Sequence, residues 1–220
     1  MPLLISLATD LRTALALLRR AALRPLLAAL VLMPAVTAAL ALSGADAGAN
    51  ALAQGLMPAW ASITWSAPPM ILGLVAPALI PLAASLTPRA RPLAPRLWAS
   101  FALSLALVTA LKAVTGRVHS EATLPIDLYD RSTACALFTG EVLEGWPSGH
   151  AATNGAVALA LAAATASPLV RCLALGWAAW VWAVVVLGIN GQVHWLSDMA
   201  AGAILALAVQ LSIPQTARPR

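Results

Sequence analysis

Charged side chains are scarce in this sequence of 220 residues. Asp, Glu, Lys and Arg together make up 10% of the chain, whereas 61% of the residues are hydrophobic and the mean hydropathy is +0.86. A soluble domain of this length has no core large enough to bury so many apolar side chains. The shortage of charge therefore excludes a soluble protein and indicates an integral membrane protein.

Cysteine and histidine are too few for a disulfide framework or a metal centre. Cys135 and Cys172 fall on opposite sides of the predicted membrane, too far apart for a disulfide bond. The three histidines lack the spacing of zinc ligands, so we expect no metal and no cofactor. The basic residues are spread over several loops, so we expect no nucleic-acid partner, and the sequence indicates no obligate protein partner.

The alternating pattern of membrane β-strands is also missing, and long runs rich in Ala and Leu predict helices instead. We predict an all-α fold: a polytopic bundle of six transmembrane helices with an N-terminal interfacial helix. The chain forms a single domain, 1–220, with the interfacial helix in 1–24 and the six-helix core in 25–213. The predicted spans are Pro25–Leu42, Pro69–Leu86, Leu97–Val114, Ala151–Ala166, Leu169–Leu187 and Met199–Ile213.

The distribution of basic residues predicts the orientation. Ten of them fall on the side that carries both termini, and only Lys112, Arg117 and Arg131 fall on the other side. Loops rich in Lys and Arg stay in the cytoplasm. The termini are therefore predicted to be cytoplasmic and the opposite face periplasmic, in a bacterial inner membrane. Two sets of residues map to that outer face, the three histidines and four tryptophans interpreted as interface anchors: His119, His150, His194, Trp60, Trp65, Trp146 and Trp195.

The segment Pro147-Ser148-Gly149-His150 comes directly before an apolar run. Ser148 is a candidate N-cap, and an exposed helix N-terminus with a nearby Gly149 binds phosphate well. His150, in the first turn, is a candidate general acid for the leaving oxygen of a phosphate ester. A helix cap without any catalytic role explains the same four residues.

His194 and Asp198 are four residues apart, so on a helix they share one face. A carboxylate that binds one ring nitrogen orients the imidazole, and the other nitrogen can then attack phosphorus. An interfacial histidine that caps a helix beside Trp195 is the alternative.

Three patterns on the predicted outer face, Lys112 to Ser120, Trp146 to His150 and His194 to Asp198, together resemble the type 2 phosphatidic acid phosphatase superfamily of membrane lipid phosphatases. The resemblance implies that His194 is the nucleophile, that it forms a phosphohistidine, and that Lys112 binds phosphate oxygens. Arg117 lies where many members have a further basic residue. Snorkelling to the interface is the alternative for Lys112, and Arg117 could equally pair with Glu121 or bind a headgroup.

Two positions depart from the superfamily pattern. The resemblance implies arginines where this chain has His119 and Gly188. Arginine provides planar, two-pronged recognition of phosphate and a permanent charge. A protonated His119, Arg117 or Arg131 would have to replace them, and the sequence does not choose among the three.

The resulting hypothesis is a metal-independent membrane phosphatase that hydrolyses a lipid phosphate or diphosphate monoester through a phosphohistidine. His194, His150 and Asp198 form the predicted catalytic set. The predicted substrate-binding residues are Lys112, Arg117, His119, Ser148 and Gly149. A lipid phosphotransferase on the same scaffold and a non-catalytic lipid-phosphate-binding protein remain alternatives, and the particular lipid is left open.

Overall fold

The computed structural model describes residues 2–56, 59–115, 146–187 and 194–214. Over these ranges the chain forms eight α-helices and no strand, which confirms the all-α prediction. A short 3-10 turn, Arg91–Leu93, leads into the fifth helix. The helices are α1 (Pro2–Arg19), α2 (Leu23–Leu42), α3 (Ala45–Leu56), α4 (Ala59–Leu86), α5 (Ala94–Thr115), α6 (Gly149–Ala164), α7 (Pro168–Leu187) and α8 (Leu196–Ser212).

Four segments of the described chain are long and apolar enough to cross a membrane: Leu23–Leu42, Ala67–Leu86, Arg91–Thr115 and Pro168–Leu187. Large apolar side chains on them point outward, as expected for contact with lipid. Val31 on α2, Leu74 on α4 and Leu169 on α7 are 73%, 69% and 68% exposed. These features are consistent with a membrane protein. The count of six spans and the interfacial position of α1 stay predictions.

Helix α4 is longer than the predicted span Pro69–Leu86, because it begins at Ala59 and continues through Pro68 and Pro69. Prolines commonly mark helix boundaries, and the predicted span begins at Pro69 for that reason. Inside membrane-type bundles they are tolerated when a neighbouring group satisfies the carbonyl that has lost its N–H partner. Helix α3 was not predicted at all, since the segment after Leu42 is short and less apolar.

Helix α6 forms the centre of the bundle and packs against α4, α5, α7 and α8. Small residues permit this close packing. A Cβ atom at Gly155 of α6 would lie 2.8 Å from the Ala206 Cβ of α8. A Cβ atom at Gly202 of α8 would lie 2.7 Å from the Ser148 carbonyl oxygen. The first turns of α6 and α8 therefore meet with no room for an additional methyl group.

Hydrogen bonds at the helix ends identify which termini lie together. The Ala22 N–H before α2 donates to the Ser212 carbonyl at the end of α8, at 2.9 Å. Arg171 donates from Nε to the Ala162 carbonyl at 3.1 Å, and so caps the last turn of α6 with a cation. Because α6 and α8 both begin at the other end, these contacts lie at the opposite end of the bundle from His150 and the start of α8.

The contact at Gly202 predicts a selective loss of stability. Gly202→Ala should destabilise the fold by about 1–3 kcal/mol, because the added methyl meets backbone of the other helix rather than a flexible side chain. Thermal unfolding in detergent would measure this. Gly176→Ala on α7 is the matched control, since its Cβ would meet nothing within 4 Å. Equal midpoints for the two variants would contradict the proposed close packing.

Candidate active site

The site begins at the N-terminus of α6. Ser148 is fully buried and is the N-cap, with its Oγ accepting from the Ala151 N–H at 3.3 Å. Its own N–H donates to the Asp198 carbonyl of α8 at 3.0 Å. The N–H groups of Gly149 and His150 occupy the first turn, where no intrahelical acceptor exists, so this end of α6 has the polarity that suits an anion.

Trp146 fixes the segment that enters α6. Its indole N–H donates to Thr37 Oγ1 of α2 at 2.8 Å, and its carbonyl accepts from Thr115 Oγ1 of α5 at 3.0 Å. Trp146 and Trp195 are only 7% and 4% exposed. The interpretation of these two tryptophans as interface anchors is therefore wrong: they pack inside the bundle, where Trp146 has a polar partner for its N–H.

His194 and Asp198 form the predicted pair. Nδ1 of His194 lies 3.3 Å from Oδ2 of Asp198, and both side chains are buried. His194 precedes α8, whereas Asp198 is in its first turn, and Oδ2 also accepts from the Trp195 N–H at 3.1 Å. A carboxylate only accepts, so Nδ1 carries the proton in this bond. The lone pair of the neutral ring is then on Nε2, at the far side from Asp198.

Lys112, the only lysine in the sequence, lies in the last turn of α5 and is 6% exposed. Its Cε is 4.0 Å from the position that a Cβ of Gly149 would occupy. The side chain therefore lies against the first residue of α6 and not along a lipid-facing surface. This burial argues against the snorkelling alternative for Lys112.

His150 is held by α4. Its Nε2 lies 3.1 Å from the Met70 carbonyl oxygen, so Nε2 carries a proton and Nδ1 is the nitrogen that titrates. A Cβ at Gly73 would come within 3.1 Å of the His150 ring, a tight contact that the ring could relieve only by moving a few tenths of an ångström. Burial lowers the pKa of His150, the bond to Met70 opposes the shift, and the charges of His194 and Lys112 lower it further. His150 comes before the predicted span Ala151–Ala166.

Asn154 joins three helices one turn below His150. Its amide nitrogen donates to the Gly73 carbonyl of α4 and to the His150 carbonyl of α6, each at 2.9 Å. Its Oδ1 accepts from the Trp177 indole N–H of α7 at 2.8 Å. Gly73 needs this donor, because Pro77, four residues later, has no N–H to offer its carbonyl. The hydrogen bond that α4 lacks at the Gly73 carbonyl is thus replaced by one from Asn154, which links α4 to α6.

Six of the eight predicted site residues lie at this end of the bundle: Lys112, Ser148, Gly149, His150, His194 and Asp198. The other two, Arg117 and His119, lie outside the described residues, as do Arg131 and Gly188. Sequence reasoning missed Gly73 and Asn154. An amide within an apolar segment was the available signal for Asn154, since intramembrane polar residues are rarely without a role.

Comparison with known families adds an independent observation. Residues 125–219 match the PAP2 superfamily. This match confirms the resemblance to the type 2 phosphatidic acid phosphatase superfamily and includes His150, His194 and Asp198. Lys112 lies before the matched range. The match supports a phosphatase-type function in general. No curated protein and no solved structure gives a significant match.

The Asn154 network predicts a loss of stability that a neighbouring position does not share. Asn154→Leu keeps a similar volume but leaves the Gly73 carbonyl and the Trp177 N–H without partners, at a cost of about 1–3 kcal/mol for each group. Thermal unfolding in detergent would measure the loss. Thr153→Val is the matched control, because the Thr153 hydroxyl donates to Gly149 within the same helix. Similar losses in the two variants would refute a helix-joining role.

The lowered pKa of His150 predicts a contribution to acid sensitivity. Between that pKa and the ordinary value of about 6.5, the unfolded chain binds a proton at this residue and the folded chain does not. Stability should therefore fall as the pH decreases from 7 through this window. The melting temperature of wild type should decrease more between pH 7 and pH 5 than that of His150→Gln. An equal decrease would show that His150 is not responsible.

Proposed function

We propose that this protein is an integral membrane phosphatase that hydrolyses a phosphate or diphosphate monoester of a lipid. One observation carries the proposal: the His194–Asp198 pair, His150 and Lys112 lie around the N-terminus of α6 at one end of an apolar bundle. A phosphate needs positive polarity, a nucleophile and a proton donor. Residues at this end supply all three of these requirements. His150 and His194 lie within the range that matches the superfamily, and Lys112 precedes it.

The membrane arrangement in this proposal has six spans, formed by α2, α4, α5, α6, α7 and α8, with α1 at the interface. The central position of α6 supports its inclusion, because a helix packed among spanning helices on several sides exposes little of its own surface to lipid. Arg24 at the start of α2 and Arg171 beside the end of α6 lie opposite the site. Under the positive-inside rule that end is cytoplasmic and the site faces the periplasm.

Lipid substrates fit the position of the site. The apolar outer surfaces of α2, α4 and α7 are where acyl or prenyl chains would remain in the bilayer. The phosphate would then lie at the headgroup level, against the N–H groups of Gly149 and His150 and near the Lys112 ammonium. Helix dipole and ammonium both favour negative charge there.

The first chemical step is attack by His194. Nε2 donates its lone pair to phosphorus, a P–N bond forms, and the bond between phosphorus and the lipid oxygen breaks. Asp198 holds the Nδ1 proton and stabilises the positive ring that results. His150 takes up a proton from solvent at Nδ1 when the phosphate dianion binds, because the negative charge favours the protonated ring. That proton then passes to the lipid oxygen as it leaves, and His150 becomes neutral.

The second step is hydrolysis of the phosphohistidine. His150, now neutral, accepts a proton from water, the water oxygen attacks phosphorus, and the P–N bond breaks to restore His194. The Met70 carbonyl keeps the other ring nitrogen of His150 protonated throughout. The same Nδ1 atom therefore serves as acid and then as base.

Turnover of defined lipids would test the proposal. Purified protein in detergent with EDTA should release phosphate from phosphatidic acid or a polyprenyl diphosphate. His194→Ala should abolish release, and His150→Ala should reduce kcat by about 10²–10⁴, as expected for loss of a general acid. Cys172→Ser is the control, because Cys172 is exposed on α7. Radiolabelled phosphate should remain on wild-type protein after rapid quenching in base but not on His194→Ala.

Other outcomes would favour the alternatives. Transfer of the phosphate or headgroup to an added lipid or sugar hydroxyl, without release to water, would indicate a phosphotransferase. Binding of the lipids without turnover would indicate a non-catalytic protein. Full activity in His194→Ala would refute the nucleophile assignment.

A further inference from the structure

Asp46 is a buried acid outside the three sequence motifs. It lies in the first turn of α3 and is 0% exposed. Its Oδ1 accepts from the Ser197 N–H at 2.8 Å, and its Oδ2 accepts from the Ser197 hydroxyl at 2.6 Å. Both oxygens of one carboxylate thus bind a residue that is 151 positions away in the chain.

A carboxylate in this position is stabilised by its surroundings. Burial of a charge is costly unless hydrogen bonds and favourable dipoles compensate. Ser197 provides two donors, and its N–H belongs to the first turn of α8, where it has no acceptor within the helix. Asp46 also lies at the N-terminus of its own helix, so the polarity of both α3 and α8 favours its negative charge.

The contact bears directly on the proposed nucleophile. Ser197 is followed by Asp198, whose Oδ2 binds both the His194 ring and the Trp195 N–H. His194 itself precedes α8, so the first turn of that helix determines where its ring lies. Asp46 belongs to a separate helix, α3, and holds this turn through its two hydrogen bonds with Ser197.

We propose that Asp46 is a positioning residue that fixes the first turn of α8, so that His194 faces the N-terminus of α6. The inference rests on the proposed function. Asp46 does not touch the phosphate; it sets the depth and rotation of the turn that carries Asp198. Displacement of a reacting group by ~1 Å costs on the order of 10²-fold in rate. Loss of Asp46 should therefore lower kcat without weakening substrate binding.

A role in stability alone makes a different prediction. It would reduce the fraction of folded protein and leave kcat per folded molecule unchanged. Asp10 provides the comparison, because it is also a buried carboxylate, 5% exposed, and pairs with Arg91 at 3.7 Å. Asp10 belongs to α1, which packs against α5 and α4 and away from the start of α8.

The experiment compares Asp46→Asn, Ser197→Ala, the double variant and Asp10→Asn, with phosphatidic acid and a polyprenyl diphosphate as substrates. Folded protein is quantified by size-exclusion chromatography and thermal unfolding, and kcat and KM are expressed per folded molecule. Asp46→Asn should reduce kcat by about 10–100-fold, because misplacement of a reacting group by ~1 Å costs on the order of 10²-fold. KM should stay within about twofold, and Asp10→Asn should retain the wild-type kcat.

The double variant provides the second criterion. If Asp46 acts through Ser197, Asp46→Asn combined with Ser197→Ala should be no slower than the slower single variant. Wild-type kcat in Asp46→Asn, or full additivity in the double variant, would overturn the inference while the proposed function stands. Parallel measurement of His194→Ala separates the two, because full activity in that variant would overturn both.

Discussion

The hydrogen bond from the Ser148 N–H to the Asp198 carbonyl joins the first turns of α6 and α8. Gly202 makes the bond possible, since a side chain there would meet the Ser148 carbonyl. In the proposed site, α6 contributes its N-terminus and His150 from this turn, and α8 contributes the carboxylate of Asp198 that holds His194.

The buried charged side chains at this end of the bundle lie in the first or last turns of their helices. Asp46 lies in the first turn of α3 and accepts the Ser197 N–H of α8, and Asp198 lies in the first turn of α8 and accepts the Trp195 N–H. Lys112 lies in the last turn of α5, where the opposite polarity suits a cation. Backbone groups that have no partner inside their own helices therefore stabilise the charged side chains, so an apolar bundle can contain an acid, a base and an ammonium near one another.

Much of this arrangement could be predicted from the sequence, because a helix that crosses lipid must be apolar over most of its length. Apolar length located α2, α5, α6, α7, α8 and the second part of α4, and the spacing of His194 and Asp198 identified a pair that the structure brings into contact. Asp46 could not be found in the same way. It is a single acid in an alanine-rich segment, and its contact with Ser197 arises only from the packing of α3 against α8. The role of Gly73 could not be predicted either, since a glycine in an apolar segment does not indicate that a histidine ring lies beside it.

Pro77 in helix α4 also limits which amino-acid substitutions this chain can accept. Pro77 removes the donor that the Gly73 carbonyl would use, and Asn154 replaces it from another helix. An amino acid with an N–H at position 77 would supply the donor for the Gly73 carbonyl within α4, and Asn154 would then be needed only for its bonds to His150 and Trp177. An apolar residue at position 154 would leave the Gly73 carbonyl unsatisfied while proline remains. The two positions therefore constrain each other, and we expect them to change together among descendants of this sequence.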